Sequence, residues 1–207
     1  MKTYLALSVL IGELALVGHV HATNDIAFQE IDAVYNNTIV CMNSQNYEGL
    51  AHAYHPEALK GFRSTLNQTL ALACDKKTSP IANATMCDSM YQMFLGVTGP
   101  SVADTLSDEA YFTRFFGSIM HQVSKISGPM TTHAKILGHV VESDTLVHLI
   151  ARVGVALGKV DTSFTLSKVE ATTFKLDDGS WKAILQGETS AKFAALVQNI
   201  LRSQVQR

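Results

Sequence analysis

The chain has 207 residues, with 16 Lys or Arg against 18 Asp or Glu, so its formal net charge is −2 at pH 7. Its basic residues are scattered along the sequence, with no run longer than Lys76-Lys77, which argues against nucleic acid and against anionic membranes as partners. The length suffices for one domain with a sizeable core, and no repeat, low-complexity tract or Pro/Gly/Ser-rich linker divides it.

The first 22 residues have the pattern of a secretory signal peptide. A positive start at Lys2 precedes an apolar run from Tyr4 to Gly18, and Val20-His21-Ala22 places small residues where a signal peptidase reads them. A membrane anchor is the alternative, but the run is shorter than the ~20 apolar residues of a span, and Glu13 interrupts it. We therefore expect cleavage after Ala22, an exported protein (periplasmic or secreted), and a mature domain over residues 23–207 without a transmembrane segment.

Hydrophobic periodicity predicts five helices before Gly128. Capping residues and prolines mark their ends, because Ser107 can cap a helix start and Pro56 disfavours helical geometry at His55 but suits a first turn. The predicted helices run from about Asn24 to Asn43, from Tyr47 to Tyr54, from Pro56 towards Cys74, along the stripe Met86, Met90, Met93, Phe94 and Val97, and from Ser107 to Gly128-Pro129.

Export permits disulfide formation, and all three cysteines lie in the exported part. Cys74 and Cys87 close a short polar connection, so a disulfide between them could tie two helix ends together, contributing about 3 kcal/mol on the loop-entropy model. Cys41 is then left as a small core residue. We expect no metal site, because the chain has no CxxC and no His or Cys pair at zinc spacing, and we expect no cofactor.

The last third predicts an antiparallel meander followed by a terminal amphipathic helix. Helices followed by such a meander indicate an α+β fold in which a curved sheet packs against helices. In the second strand His148 and Arg152 share one largely apolar face, while the alternate residues form the other. We expect Trp181 to be substantially buried. The strands are predicted at about 134–142, 145–156, 163–176 and 181–187, with turns at Ser143-Asp144, Gly158 to Asp161 and Asp178-Gly179.

Two opening helices, the segment Ala53-Tyr54-His55-Pro56-Glu57-Ala58-Leu59 and the final Leu176-Asp177-Asp178-Gly179-Ser180-Trp181-Lys182 resemble the NTF2-like superfamily, in particular exported, uncharacterised bacterial members with an extended helical middle. The resemblance implies a cone: a bent antiparallel sheet whose concave side, packed on the N-terminal helices, encloses an apolar cavity. Its other side often forms a homodimer. This chain differs in its helical insertion over residues 57 to 127, where a short hairpin is usual.

Catalytic members of that superfamily place an acid or base in the cavity beside a hydrogen-bond donor. The weak candidates here are His55 and Asp32 as bases, with Tyr35 and Tyr54 as donors. Each has a structural alternative: His55 can cap the helix that starts at Pro56, Asp32 can be a solvated carboxylate, and Tyr35 can belong to the core. No nucleophile pair, metal-ligand set or phosphate loop accompanies them.

Four residues are candidate ligand contacts: Met90 and Phe94 as an adaptable apolar lining, and His148 and Arg152 as partners of an acidic group. A soft helical core is the alternative for the methionines, and a cross-strand pair with Glu170 is the alternative for Arg152. The leading hypothesis is therefore an exported, non-catalytic domain that binds an apolar small molecule or a protein partner. The alternatives are a cofactor-free isomerase, dehydratase or hydrolase, and a periplasmic lipid carrier.

Overall fold

The structure, a computed structural model, describes residues 22–75, 84–158 and 166–185, together with Ala191, Lys192, Ala194, Ala195, Val197 and Gln198. In this part of the chain six helices precede four strands. They are α1 (Ala22–Asn43), α2 (Tyr47–His52), α3 (Pro56–Cys74), α4 (Ala84–Leu95), α5 (Gly99–Ala103), α6 (Asp108–Ser127), β1 (Met130–Ser143), β2 (Leu146–Leu157), β3 (Leu166–Asp177) and β4 (Ser180–Ile184). The predicted α+β class is confirmed.

The helix and strand bounds lie within a few residues of those predicted, with two differences. Helix α2 ends at His52 because Tyr54 instead forms a bridge with Ala183. The short helix α5 was not predicted; it starts at Gly99, whose φ is 77°, and has Pro100 in its first turn. Residues 1–21 of the predicted signal peptide, the 76–83 connection, residues 159–165 of the predicted turn and third strand, and most of the predicted terminal helix lie outside the described residues. The six residues described between Ala191 and Gln198 are helical.

The sheet is an antiparallel meander in the order β1-β2-β3-β4. Its strand register divides the side chains between a covered face and an open face. The covered face packs against α1 through Ile31 and Tyr35, and its buried members are Val147, Leu149, Ala151 and Val153 of β2, Phe174 of β3, and Trp181 and Ala183 of β4. The open face carries the alternate residues, including His148 and Arg152.

A second hydrophobic cluster lies among α2 to α6. Its centre is a group of stacked and edge-to-face rings from three helices, Phe62 of α3, Phe94 of α4, and Phe112 and Phe115 of α6. Arg63 of α3 fastens this cluster to the α5–α6 connection, since its guanidinium donates to the carbonyls of Ala103, Asp104 and Leu106 and pairs with Asp108 at 3.0 Å. Cys41 is buried and free, as expected.

The two clusters are joined where α2 gives way to α3. The amide of Ala183 donates to the carbonyl of Ala53 at 2.8 Å, and the amide of His55 donates to the carbonyl of Ala183 at 2.8 Å. These bonds satisfy the outer edge of β4 at Ala183, and they place Tyr54 against both clusters. Among the described helices none is both long and apolar enough to cross a membrane.

Trp181 is 6 % exposed and packs in the cluster between the sheet and α1, which confirms its predicted burial. We expect Trp181→Ala to lower the free energy of unfolding by about 3–5 kcal/mol, because it leaves a cavity in a packed core. Urea denaturation at equilibrium measures the loss, with Trp181→Phe as the milder control. A loss below about 1 kcal/mol would be the value for a surface ring and would contradict the burial.

The predicted disulfide between Cys74 and Cys87 is present and joins the end of α3 to α4. Non-reducing peptide mapping of protein kept under oxidising conditions should recover these two cysteines in linked peptides, with Cys41 alkylated only after unfolding. Replacing both by serine should lower the free energy of unfolding by about 3 kcal/mol, because the unfolded chain regains its loop entropy. Recovery of Cys74 as a free thiol from protein kept under oxidising conditions contradicts the assignment.

Candidate functional site

His55 caps α3. Its Nδ1 accepts a hydrogen bond from the amide of Glu57 at 3.2 Å, and its side chain is 8 % exposed. The Nε2 lies 4.0 Å from a carboxylate oxygen of Asp177 at the end of β3. The cap occupies the Nδ1 lone pair, so the nitrogen that would act as a base is already engaged. This geometry agrees with the alternative in which His55 caps the helix that starts at Pro56.

Asp32 contacts a histidine that the sequence did not single out. Its Oδ1 lies 2.7 Å from Nε2 of His139 on β1, and the ring of Phe28 stacks on that imidazole with centroids 4.4 Å apart. His139 reaches the covered face because a bulge between Ile136 and Gly138 shifts the alternation of β1. This pair therefore links α1 to β1, the edge strand at the opposite side of the sheet from β4 and Tyr54.

Tyr35 and Tyr54 lie near Glu170 of β3, and we call these three residues the tyrosine–glutamate cluster. Glu170 lies opposite Ala151 on the covered face, and α1 supplies Tyr35 above it. Burial, and secondly the negative charge of Glu170, raises the pKa of both Tyr35 and Tyr54 to about 12. Both phenols are therefore protonated donors at any physiological pH.

The hydroxyl of Tyr35 has no hydrogen-bond partner, and no other buried side-chain nitrogen or oxygen in the described part of the chain shares that condition. Tyr35 is 4 % exposed, so bulk water does not compensate for the missing bond. The side chain of Glu170 is 34 % exposed and marks the side from which the cluster meets solvent. Chemically, the cluster offers two protonated donors and one carboxylate at the boundary of an apolar core.

The alternative in which Arg152 pairs with Glu170 is wrong. The two residues lie on opposite faces, since Arg152 is opposite Val169 while Glu170 is opposite Ala151. Glu170 instead pairs with Lys168, two residues away on the same face, at 2.6 Å. The sequence could have predicted the face of Glu170. Side chains an even number of residues apart on a strand share one face, and Glu170 lies four residues before Phe174, an aromatic residue expected on the buried face of β3.

The four candidate ligand contacts do not meet. Met90 and Phe94 are 2 % and 0 % exposed and belong to the helical cluster, as the core interpretation of the methionine stripe expects. His148 and Arg152 lie on the open face, where His148 contacts Glu142 at 2.7 Å and Thr173 at 3.0 Å. A ligand enclosed between α1 and the sheet therefore cannot contact His148 or Arg152.

Of the clefts on the described surface, three are lined by none of the candidate residues named from the sequence. The first, of about 550 Å³, lies along α4 and includes Asp88, Gln92 and Met93. The second, of about 280 Å³, lies between α3 and the end of β4. The third, also of about 280 Å³, lies between α2 and the start of α6. All three open to solvent. Within the described residues no three His, Cys, Asp or Glu side chains are grouped as a metal would require.

No family model matches the chain, and no curated protein matches it. Among solved structures, the chain is similar to a domain of unknown function with a cystatin-like fold from Nostoc punctiforme PCC 73102, at 12 % sequence identity and a TM-score of 0.42. The match covers 90 % of this chain and 99 % of that one. A similarity at this level assigns neither a family nor a function.

Proposed function

We propose that this chain is an exported, non-catalytic binding domain of NTF2-like type that takes a small molecule at the tyrosine–glutamate cluster. The observation that carries the proposal is the Tyr35 hydroxyl, which is buried without a hydrogen-bond partner. Such a group costs about 1–3 kcal/mol in a folded protein. A ligand that presents an acceptor atom to the Tyr35 hydroxyl removes that cost, and this gain in free energy would favour binding.

The chemistry of the cluster restricts the ligand. Two protonated phenols favour an acceptor oxygen, and the surrounding residues Ile31, Leu149 and Phe174 favour an apolar body. A carboxylate ligand is disfavoured because Glu170 already places negative charge beside both phenols. The ligand that fits is a neutral, mostly apolar molecule with one carbonyl-type oxygen.

Catalysis of proton transfer is a second candidate, favoured by the same three residues. Protonated phenols can stabilise negative charge that develops on a substrate oxygen, while the Glu170 carboxylate accepts a proton from a neighbouring carbon. His55 and Asp32, the bases named from the sequence, are engaged with the α3 cap and with His139. Glu170 would therefore be the base of a cofactor-free isomerase or dehydratase.

Lipid carriage has less support. Two acyl chains need a deep, continuous apolar tunnel, whereas the three clefts described above are open depressions on the surface. The apolar side chains of Met90 and Phe94 are packed among other side chains. A homodimer through the sheet, which the resemblance implies, would use the open face and leave the tyrosine–glutamate cluster unoccupied.

Tyr35→Phe removes the unpaired hydroxyl and nothing else, so we expect it to leave stability unchanged or raise it by about 1 kcal/mol. Tyr111→Phe is the matched control, because the Tyr111 hydroxyl donates to Oδ1 of Asn67 at 2.7 Å and its removal leaves that acceptor unpaired. We expect this control to lose about 1–3 kcal/mol. Urea denaturation compares the two, and equal losses would show that the Tyr35 hydroxyl is satisfied.

Binding is tested with acetophenone, which has an apolar ring and one acceptor oxygen, against ethylbenzene, which lacks the oxygen. Ligand-observed NMR on the mature chain should give tighter binding of acetophenone by about tenfold, the effect of one hydrogen bond to a buried donor. We expect Tyr35→Phe to abolish the difference. Equal binding of both probes to the unaltered chain contradicts the proposed site.

The same experiment separates binding from catalysis. Exchange of the acetophenone methyl protons for deuterium in heavy water reports whether a base acts on the bound carbonyl compound. A binding domain should show no exchange above the buffer rate. Exchange that is fast in the unaltered chain and at least a hundredfold slower in Glu170→Gln, with acetophenone affinity retained, would replace the binding proposal by the catalytic one.

A further inference from the structure

The carboxylate of Glu170 does not pair with the buried phenol that lies near it. Buried polar groups in folded proteins are paired in the great majority of cases, so a buried phenol beside a carboxylate ordinarily donates to it. The Tyr35 hydroxyl nevertheless has no hydrogen-bond partner among the described residues. Glu170 lies on the face of the sheet against which Tyr35 packs. The carboxylate is therefore held away from the hydroxyl.

Lys168 contacts Glu170 from the solvent side. Its Nζ lies 2.6 Å from Oε2 of Glu170. The two residues are neighbours on the same face of β3, where Lys168 lies opposite Val153. The side chain of Lys168 is 67 % exposed and that of Glu170 is 34 % exposed. The ion pair therefore forms at the outer side of the tyrosine–glutamate cluster and draws the carboxylate towards water.

We propose that Lys168 is a positioning residue of the binding site: its ion pair keeps the Glu170 carboxylate turned towards solvent and so keeps the Tyr35 hydroxyl available to a ligand. Without Lys168 the carboxylate turns inwards and accepts the hydrogen bond of Tyr35, which closes the site to an acceptor oxygen. The site then has an open and a closed arrangement that differ in the rotation of one side chain. This inference rests on the proposed function and adds to it the regulation of ligand access.

Opposing contributions separate the two arrangements. Turning inwards gives Glu170 a charge-assisted hydrogen bond from the Tyr35 hydroxyl, which is stronger than a bond between neutral groups. It also removes water from the carboxylate and breaks the pair with Lys168, and an exposed ion pair stabilises only weakly. Because these effects offset one another, the loss of one modest contact changes which arrangement is populated. Salt acts in the same direction, since it screens an exposed ion pair more than a buried hydrogen bond.

Lys175 offers a matched control on the same strand. It also pairs with a glutamate, since its Nζ lies 3.1 Å from Oε2 of Glu57. Its side chain lies on the open face, because it is an odd number of residues from Lys168 on β3. Replacing Lys175 therefore removes one positive charge and one ion pair from β3 without changing the contacts of Glu170.

A stability measurement tests the inference without any ligand. Urea denaturation of the unaltered chain, Tyr35→Phe, Lys168→Met and the double variant forms a double-mutant cycle. In the unaltered chain, Tyr35→Phe should leave the folding equilibrium constant unchanged or raise it. In the Lys168→Met background it should lower that constant about tenfold, because the hydroxyl is then bonded to Glu170. The cycle with Lys175→Met should show no coupling. Additive effects in the Lys168→Met cycle would overturn the inference.

Ligand binding gives the second test. Ligand-observed NMR should show that Lys168→Met reduces the preference for acetophenone over ethylbenzene at least about fivefold, whereas Lys168→Arg, which retains the ion pair, and Lys175→Met keep it. Raising sodium chloride from about 20 mM to about 500 mM should weaken acetophenone binding to the unaltered chain but not to Lys168→Met.

The two tests separate the failure of this inference from the failure of the proposed function. If the unaltered chain prefers acetophenone and Lys168→Met keeps that preference in full, Lys168 does not position Glu170. If the unaltered chain does not distinguish the two probes, the proposed function fails, and the stability cycle by itself decides the role of Lys168.

Discussion

The backbone pairing between Ala183 and the segment Ala53 to His55 is the constraint on which the remaining architecture depends. Two hydrogen bonds of 2.8 Å connect the last strand to the junction between α2 and α3. They satisfy the outer edge of β4 at Ala183, bring Tyr54 to the covered face and set His55 in place to cap α3. Loss of this junction would separate the helical cluster from the sheet and remove Tyr54 from Glu170.

The tyrosine–glutamate cluster follows from that junction and from the position of α1. Tyr54 lies in the segment that pairs with β4, Glu170 lies on β3, and Tyr35 lies on α1 and contacts the same face of the sheet. These residues are far apart in sequence, and they meet at the boundary of a packed apolar core. The Tyr35 hydroxyl is thus a polar group kept unpaired where a phenylalanine would cost less, and the proposed binding role rests on this observation.

The sequence predicted the fold more completely than the site. Helices with clear apolar stripes and caps, such as α6 after Ser107, begin and end close to the predicted residues. Periodicity and capping depend only on residues near one another in sequence, so the sequence alone shows them. The helix α5 was not predicted because its five residues make fewer than two turns, too few to show a repeating apolar stripe. The bulge in β1 moved His139 to the covered face, which strict alternation assigns to the other side. The sequence places Glu170 on the strand next to Arg152, but only the register, in which Arg152 is opposite Val169, puts the two side chains on opposite faces.

The central claim is that the Tyr35 hydroxyl is a binding determinant rather than a defect of packing. A crystal structure at a resolution that shows ordered water, of protein purified from its own host without added ligand, tests it most directly. The claim predicts density larger than a water molecule, with an acceptor within about 3.2 Å of the Tyr35 hydroxyl and apolar atoms against Leu149 or Phe174. A hydroxyl bonded directly to Glu170, in a closed site without room for a ligand, would contradict it.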